Sequence, residues 1–168
     1  MWGAISMSFG AMSEIVYLLA EDTESDAVLV KMEMERHTGA KLLAVRDGQE
    51  AIDYLLGTPP YNDRKQFPLP DIIVMDLKMP RLSGFDFLQW RRTEAPLELR
   101  VIPVIVFSGS DLQRDVWRAY ELGANRYMVK PNDLATFRKQ LSSMCENWGH
   151  YTQLVRRGRS PALGDSLL

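Results

Sequence analysis

The hexamer DIIVMD, residues 71–76, decides the fold. Its four central residues are apolar without alternation and stop at a second aspartate, the pattern of a short strand buried on both faces. Such a strand needs helices on either side, and the flanking sequence supplies them. Upstream, EIVYLLA (14–20) is another continuous apolar run, halted by Glu21-Asp22. Thr23 or Ser25 is placed to cap a first helix that runs to about His37 and ends at Thr38-Gly39. AKLLAVR (40–46) gives a second strand, Asp47-Gly48 a turn, and Ala51, Ile52, Leu55 and Leu56 the inner stripe of a second helix. Residues 57–70 carry four prolines among other turn formers and are expected to be a long exposed loop.

Downstream the alternation continues. Residues 77–83 are a loop, Ser83 caps a third helix bearing Phe85, Leu88 and Trp90, and VIPVIVF (101–107) is a fourth strand. A fourth helix over 111–122 precedes a fifth strand, NRYMV (125–129). A fifth helix covers about 133–148, where Leu134, Phe137, Leu141, Met144 and Trp148 recur at helical spacing. On the fourth helix Leu112, Val116, Ala119 and Tyr120 make the inward stripe, and Trp117 lies at its edge, about 100° from Val116. Five strands alternating with five helices define an α/β protein, a doubly wound five-stranded parallel sheet covered on both faces. Ligands of such sheets sit outside the carboxyl ends of the strands.

The elements fill residues 14–148 as one domain, leaving a lead at 1–13, expected to be disordered, and a C-terminal tail at 149–168. A net charge of −2, with Arg156, Arg157 and Arg159 as the one basic cluster, leaves no footprint for nucleic acid. The single cysteine, Cys145, cannot form an internal disulfide. The first residues lack the basic start of a signal peptide, and no apolar run reaches membrane-spanning length, so the expected home is the cytoplasm with no membrane contact. His37 and His150 lack metal-ligand spacing, and the nine methionines are expected to fill the core.

Four of the five strands end in a chemically pointed residue. The first delivers Glu21 and Asp22, the third Asp76, the fourth Ser108, and the fifth Lys130 followed by Pro131. A parallel sheet puts these ends on one rim. Three carboxylates there repel one another unless a cation intervenes, and hard oxygen ligands with room for water suit Mg²⁺. An ionised aspartate beside Mg²⁺ and a lysine can accept a phosphoryl group, because that transfer depends mostly on positioning and charge neutralisation. Singly, each residue has a bland explanation: an acidic pair at a helix start, a loop carboxylate, a solvated lysine, a capping serine. Their arrival in order at successive strand ends is what favours one site.

The stretches EDTESD (21–26), MDLKMPRLSG (75–84), FSGS (107–110) and YMVKP (127–131) resemble the receiver domains of response regulators over roughly residues 13–148. The resemblance implies the flavodoxin-like receiver fold of a two-component system. It makes Asp76 the phosphoacceptor, charged by the phosphohistidine of a histidine kinase or a histidine phosphotransfer protein. It makes Asp22, Asp76 and the backbone carbonyl of Lys78 the Mg²⁺ ligands, with Glu21 acting through water. Ser108 and Lys130 would contact the phosphoryl group, Tyr127 would turn inward when Ser108 moves, and Lys130–Pro131 would be cis. Glu21 stands where an aspartate is commoner in the family. EDTESD, the 57–70 loop and the ENW of the last helix look like the small stand-alone regulators that partner phytochrome-type histidine kinases.

Two rival readings share parts of this site. A metal-dependent phosphohydrolase would want a second aspartate two residues after the nucleophile, where DLKMP has Lys78. A flavin mononucleotide carrier would want a phosphate cradle after the first strand, where the sequence is acidic. With about twenty residues beyond the last helix, output is expected through protein contacts. The resemblance points to a homodimer through the fourth helix, fifth strand and fifth helix, with Trp117 as an aromatic anchor.

Overall fold

All five expected strands form in the computed structural model, which describes residues 14–38 and 40–156. They are β1 (Val16–Ala20), β2 (Lys41–Val45), β3 (Ile72–Met75), β4 (Val104–Ser108) and β5 (Arg126–Val129), all parallel, in the order β2-β1-β3-β4-β5. The helices are α1 (Glu24–Thr38), α2 (Gly48–Leu56), α3 (Gly84–Thr93), α4 (Leu97–Arg100), α5 (Gln113–Glu121) and α6 (Leu134–Arg156). Side chains alternate across each strand, so one sequence run feeds two cores. Leu18, Ala20, Ile73, Met75, Val104 and Val106 pack with Ile52, Leu55, Phe87 and Leu88 on one face. Tyr17, Leu19, Ile72, Val74, Ile105 and Phe107 pack with Val30, Met34, Phe137, Leu141 and Trp148 on the other. From β1 the chain first moves outward to β2 and then crosses to β3 on the opposite side. The order therefore reverses between β1 and β3, where a doubly wound sheet opens its ligand crevice.

Local signals explain the element ends. Asp47 caps α2 through its Oδ1 on the Glu50 N–H (2.9 Å), and Gly57, at φ 72°, closes that helix in the left-handed region. Ser83 and Asp86 form a reciprocal capping box at the start of α3.

Several details depart from the sequence expectations. An extra short helix, α4, occupies 97–100, and β4 begins at Val104 instead of 101. The guanidinium of Arg91 holds the Arg100 and Ile102 carbonyls, so this segment bends before entering the sheet. The expected inward stripe of the fourth helix, now α5, is mostly outside: Leu112 and Tyr120 are exposed, Val116 half-buried, and Ala119 alone of the four is buried. The helix starts at Gln113, leaving Leu112 at its cap, while the Tyr120 hydroxyl accepts the Tyr127 N–H at the edge of β5. On α2, Leu56 is exposed and Tyr54 is buried in its place. The 57–70 segment is not simply a solvated loop, because Tyr61 and Phe67 pack on Tyr54 and Arg64 donates to the Tyr54 and Leu55 carbonyls. The cis peptide bond among the described residues is Pro59–Pro60, not Lys130–Pro131. α6 continues past 148 to Arg156: Gly149 lies against Ile15, Tyr151 meets the Trp148 ring edge to face, and the Thr152 hydroxyl donates to the Trp148 carbonyl. The readings made for 1–13, Gly39, the His37 side chain and 157–168 fall outside the described residues.

Candidate functional site

Backbone bonds between neighbouring strands place the rim residues. The Asp76 N–H donates to the Ala20 carbonyl (3.0 Å), the Glu21 N–H to the Val45 carbonyl (3.0 Å) and the Lys130 N–H to the Ser108 carbonyl (2.8 Å). These bonds fix β3 to β1, β1 to β2 and β5 to β4, and the pairing of β3 with β4 sets all these ends on one rim. Glu21 and Asp76 are buried, at 4% and 8% exposure, and Asp22 is exposed. Each of the three offers a carboxylate oxygen within 4.8 Å of the others.

Lys130 is the cation of this group. Its Nζ lies 2.5 Å from Glu21 Oε2, 3.1 Å from Asp26 Oδ2 and 3.2 Å from Asp76 Oδ2. The other Asp76 oxygen, Oδ1, accepts the Leu77 N–H at 2.6 Å and the Lys78 N–H at 3.4 Å. Asp76 is therefore held on one side by backbone and on the other by an ammonium. Gly84 is required by this packing: a Cβ there would fall 2.2 Å from the Asp76 carbonyl oxygen.

The charges answer to the burial. Desolvation pushes the Glu21 carboxyl above its usual range, helped by the Asp76 charge and opposed by Lys130 and the Thr23 N–H. For Lys130, burial alone works downward, yet the Glu21 hydrogen bond, the Asp76 and Glu21 charges and the Asp26 bond together hold it above the usual lysine value. Four carboxylates around one ammonium leave the cluster net negative. All the free donors are hard oxygens, a set that fits a divalent cation.

Ser108 is fully buried at the end of β4. Tyr127 is half-buried on β5, and its hydroxyl donates to the Ser110 carbonyl (2.8 Å) in the loop that follows Ser108. The Ser110 hydroxyl in turn donates to Asp115 (2.6 Å) at the start of α5. Lys78 is exposed beside the acceptor loop. Trp117 is not brought to the site; it stands on α5 at 63% exposure. Sequence reasoning missed Asp26 as a Lys130 partner; it stands on the first turn of α1, directly after the loop that carries Glu21 and Asp22.

With fold and site in place, comparison with known proteins gives the class. The family described as response regulator receiver domain matches residues 17–142. The chain belongs to that family, whose members are two-component signalling domains that accept a phosphoryl group with a divalent metal. It is 32% identical to the probable methanogenesis regulatory protein FilR2 of Methanothrix harundinacea, over 82% of this chain and 86% of that protein. It is 31% identical to response regulator Rcp1 of Synechocystis, over 79% of this chain and 88% of that protein. The Mn²⁺-bound structure of Rcp1 superimposes with a TM-score of 0.72 at 30% identity, covering 80% of this chain and 94% of that one. The phosphorylated cyanobacterial phytochrome response regulator RcpA gives 0.74 at 28% identity, covering 81% and 94%. Among the described residues no helix is long and apolar enough to cross a membrane.

Proposed function

We propose that this chain is a phosphorylation switch in which Asp76 takes the phosphoryl group from a histidine kinase or a histidine phosphotransfer protein. The observation that carries the reading is the burial of Asp76 between Lys130 and the acidic pair at the reversal of the sheet. Asp76 attacks phosphorus as the bond to the donor imidazole breaks, and the imidazole nitrogen keeps the electron pair and picks up a proton. Lys130 and the Ser108 hydroxyl neutralise and hydrogen-bond the phosphoryl oxygens. Asp22, Asp76 and the Lys78 carbonyl would hold Mg²⁺, with Glu21 acting through water, and the ion supplies charge neutralisation. The chain then acts as a signalling domain in the cytoplasm, with self-phosphorylation and self-dephosphorylation as its catalysis.

Output leaves through α5, β5 and α6. The links from Ser110 to Tyr127 and Asp115, and from Tyr127 to Tyr120, join the acceptor side to that surface. Leu112, Trp117, Tyr120 and Val129 are large apolar side chains exposed there, a face suited to a homodimer anchored by Trp117. The phytochrome association of RcpA favours a phytochrome-type kinase as donor.

The test uses acetyl phosphate or beryllofluoride. The wild type should gain an adduct by intact mass or ¹⁹F NMR with Mg²⁺ present and lose it on chelation, and Asp76→Asn should gain none. An adduct on Asp76→Asn equal to wild type overturns the acceptor. In the same samples light scattering should show a larger dimer fraction with beryllofluoride, reduced in Trp117→Ala. A wild type monomeric in both states removes the dimer.

A further inference from the structure

The site contains a carboxylate with no place in the mechanism above. Asp26 lies on the first turn of α1, outside the three carboxylates that fit a cation, and its Oδ2 is 3.1 Å from Lys130 Nζ. An ammonium has three N–H donors. Here Glu21, Asp26 and Asp76 claim one each. A phosphoryl oxygen arriving at Asp76 finds every donor of Lys130 engaged.

The three partners differ in how easily they let go. Glu21 makes the shortest contact, and its side chain is 1% exposed, so a released charge there has no water to receive it. Asp76 is the reacting group and stays in place beneath the phosphoryl group. The Asp26 side chain is 36% exposed and is solvated at once when it swings away. Resting on the reading of Asp76 as phosphoacceptor, we propose that the Asp26–Lys130 ion pair is a latch. It engages the ammonium while no phosphoryl group is bound and yields it when one arrives. Asp26 is thus a positioning residue that opposes phosphoryl acceptance, through donor competition and through its own negative charge.

The sign of this effect separates it from a structural role, because removing a merely structural contact weakens ligand binding or leaves it alone. With saturating Mg²⁺, Asp26→Asn should bind beryllofluoride about threefold to fivefold more tightly than wild type, the range expected for one partly exposed ion pair. Asp26→Glu should return towards wild type. Asp26→Ser repeats the test with a smaller side chain, and a thermal melt of each variant reports the fold. At 0.5 M NaCl the screening length is only about 4 Å, so an effect of general charge disappears while competition at contact distance persists. Tighter binding by Asp26→Asn at both salt concentrations supports the latch. Affinity equal to or weaker than wild type at high salt overturns it. If the wild type itself takes no beryllofluoride, the reading of Asp76 fails instead, so the two failures are told apart.

Discussion

Two cations are sunk into opposite rims of the same sheet, and their partners differ in kind. Lys130, at the carboxyl end of β5, faces three carboxylates. Arg91, on the last turn of α3, is 8% exposed and has only neutral partners among the bonds seen: the carbonyls of Gly123 (3.1 Å), Arg100 (2.6 Å) and Ile102 (2.8 Å). Burial pulls the Arg91 guanidinium below its usual value, whereas Lys130 is held above its own against the same desolvation. A planar fork across three carbonyls ties α3 to the segments entering β4 and β5, so it is a fastener. A point charge among mutually repelling acids ties no backbone segments together, and its three partners are all side chains at one rim. The lesson is that the partners of a buried cation, more than its burial, separate structure from chemistry.

The largest expected effect tests that division. Arg91→Leu orphans three carbonyls and should lower unfolding stability by about 2–4 kcal/mol, near 1 kcal/mol for each lost bond. Its folded fraction should still bind beryllofluoride. Lys130→Met should do the reverse, weakening beryllofluoride binding at least about tenfold, the loss expected for one charge-assisted contact, with a smaller change in stability. Denaturant melts paired with ¹⁹F titration measure both. If Lys130→Met proves the less stable of the two, the comparison breaks.

A smaller effect concerns the acids around Lys130. Glu21 has its folded-state pKa raised, mainly by burial and further by Asp76. A raised carboxyl favours the folded state while it is protonated. That contribution is complete below the ordinary carboxylate pKa and is lost as pH rises through the raised value. Metal-free protein should therefore lose stability as pH climbs out of the usual carboxylate range, and Glu21→Gln should flatten that slope. A slope unchanged by Glu21→Gln would place the repulsion elsewhere in the cluster.

The sheet was legible because strands buried on both faces announce themselves as unbroken apolar runs, and DIIVMD and EIVYLLA sit one residue or two outside the observed strands. Strand ends in a parallel sheet share a rim, so Glu21, Asp22, Asp76 and Lys130 could be grouped without coordinates, and the structure brings them together. What failed depends on contacts remote in sequence. Nothing near residue 101 reveals that Arg91 will hold the Arg100 and Ile102 carbonyls and delay β4. The stripe on α5 counted Leu112 within a helix over 111–122, but that residue is extended and the helix starts at Gln113. Asp26 was overlooked because it belongs to the helix that follows the strand end, one turn beyond the acidic pair.

The smallest expected effect concerns a third cation, one that looks like part of the site and is expected to behave like Arg91. Arg81 lies in the loop after Asp76, and its Nε is 2.6 Å from Asp47 Oδ2, with Nη2 on the same oxygen. Its side chain is 62% exposed and that of Asp47 2%, while the Gly48 N–H donates to the Leu82 carbonyl (2.9 Å) beside it. The pair thus staples the acceptor loop to the start of α2. Arg81 also has φ 59°, in the left-handed region where a side chain costs about 1 kcal/mol. Arg81→Gly and Arg81→Ala remove the same ion pair, so their difference isolates the backbone: the alanine variant should be the less stable by about 1 kcal/mol. If the staple serves the fold alone, both variants should stay within about twofold of wild type in beryllofluoride affinity, the effect of a weak ion pair with one solvated partner. A larger, equal loss in both would move Arg81 across the comparison, from the company of Arg91 to that of Lys130.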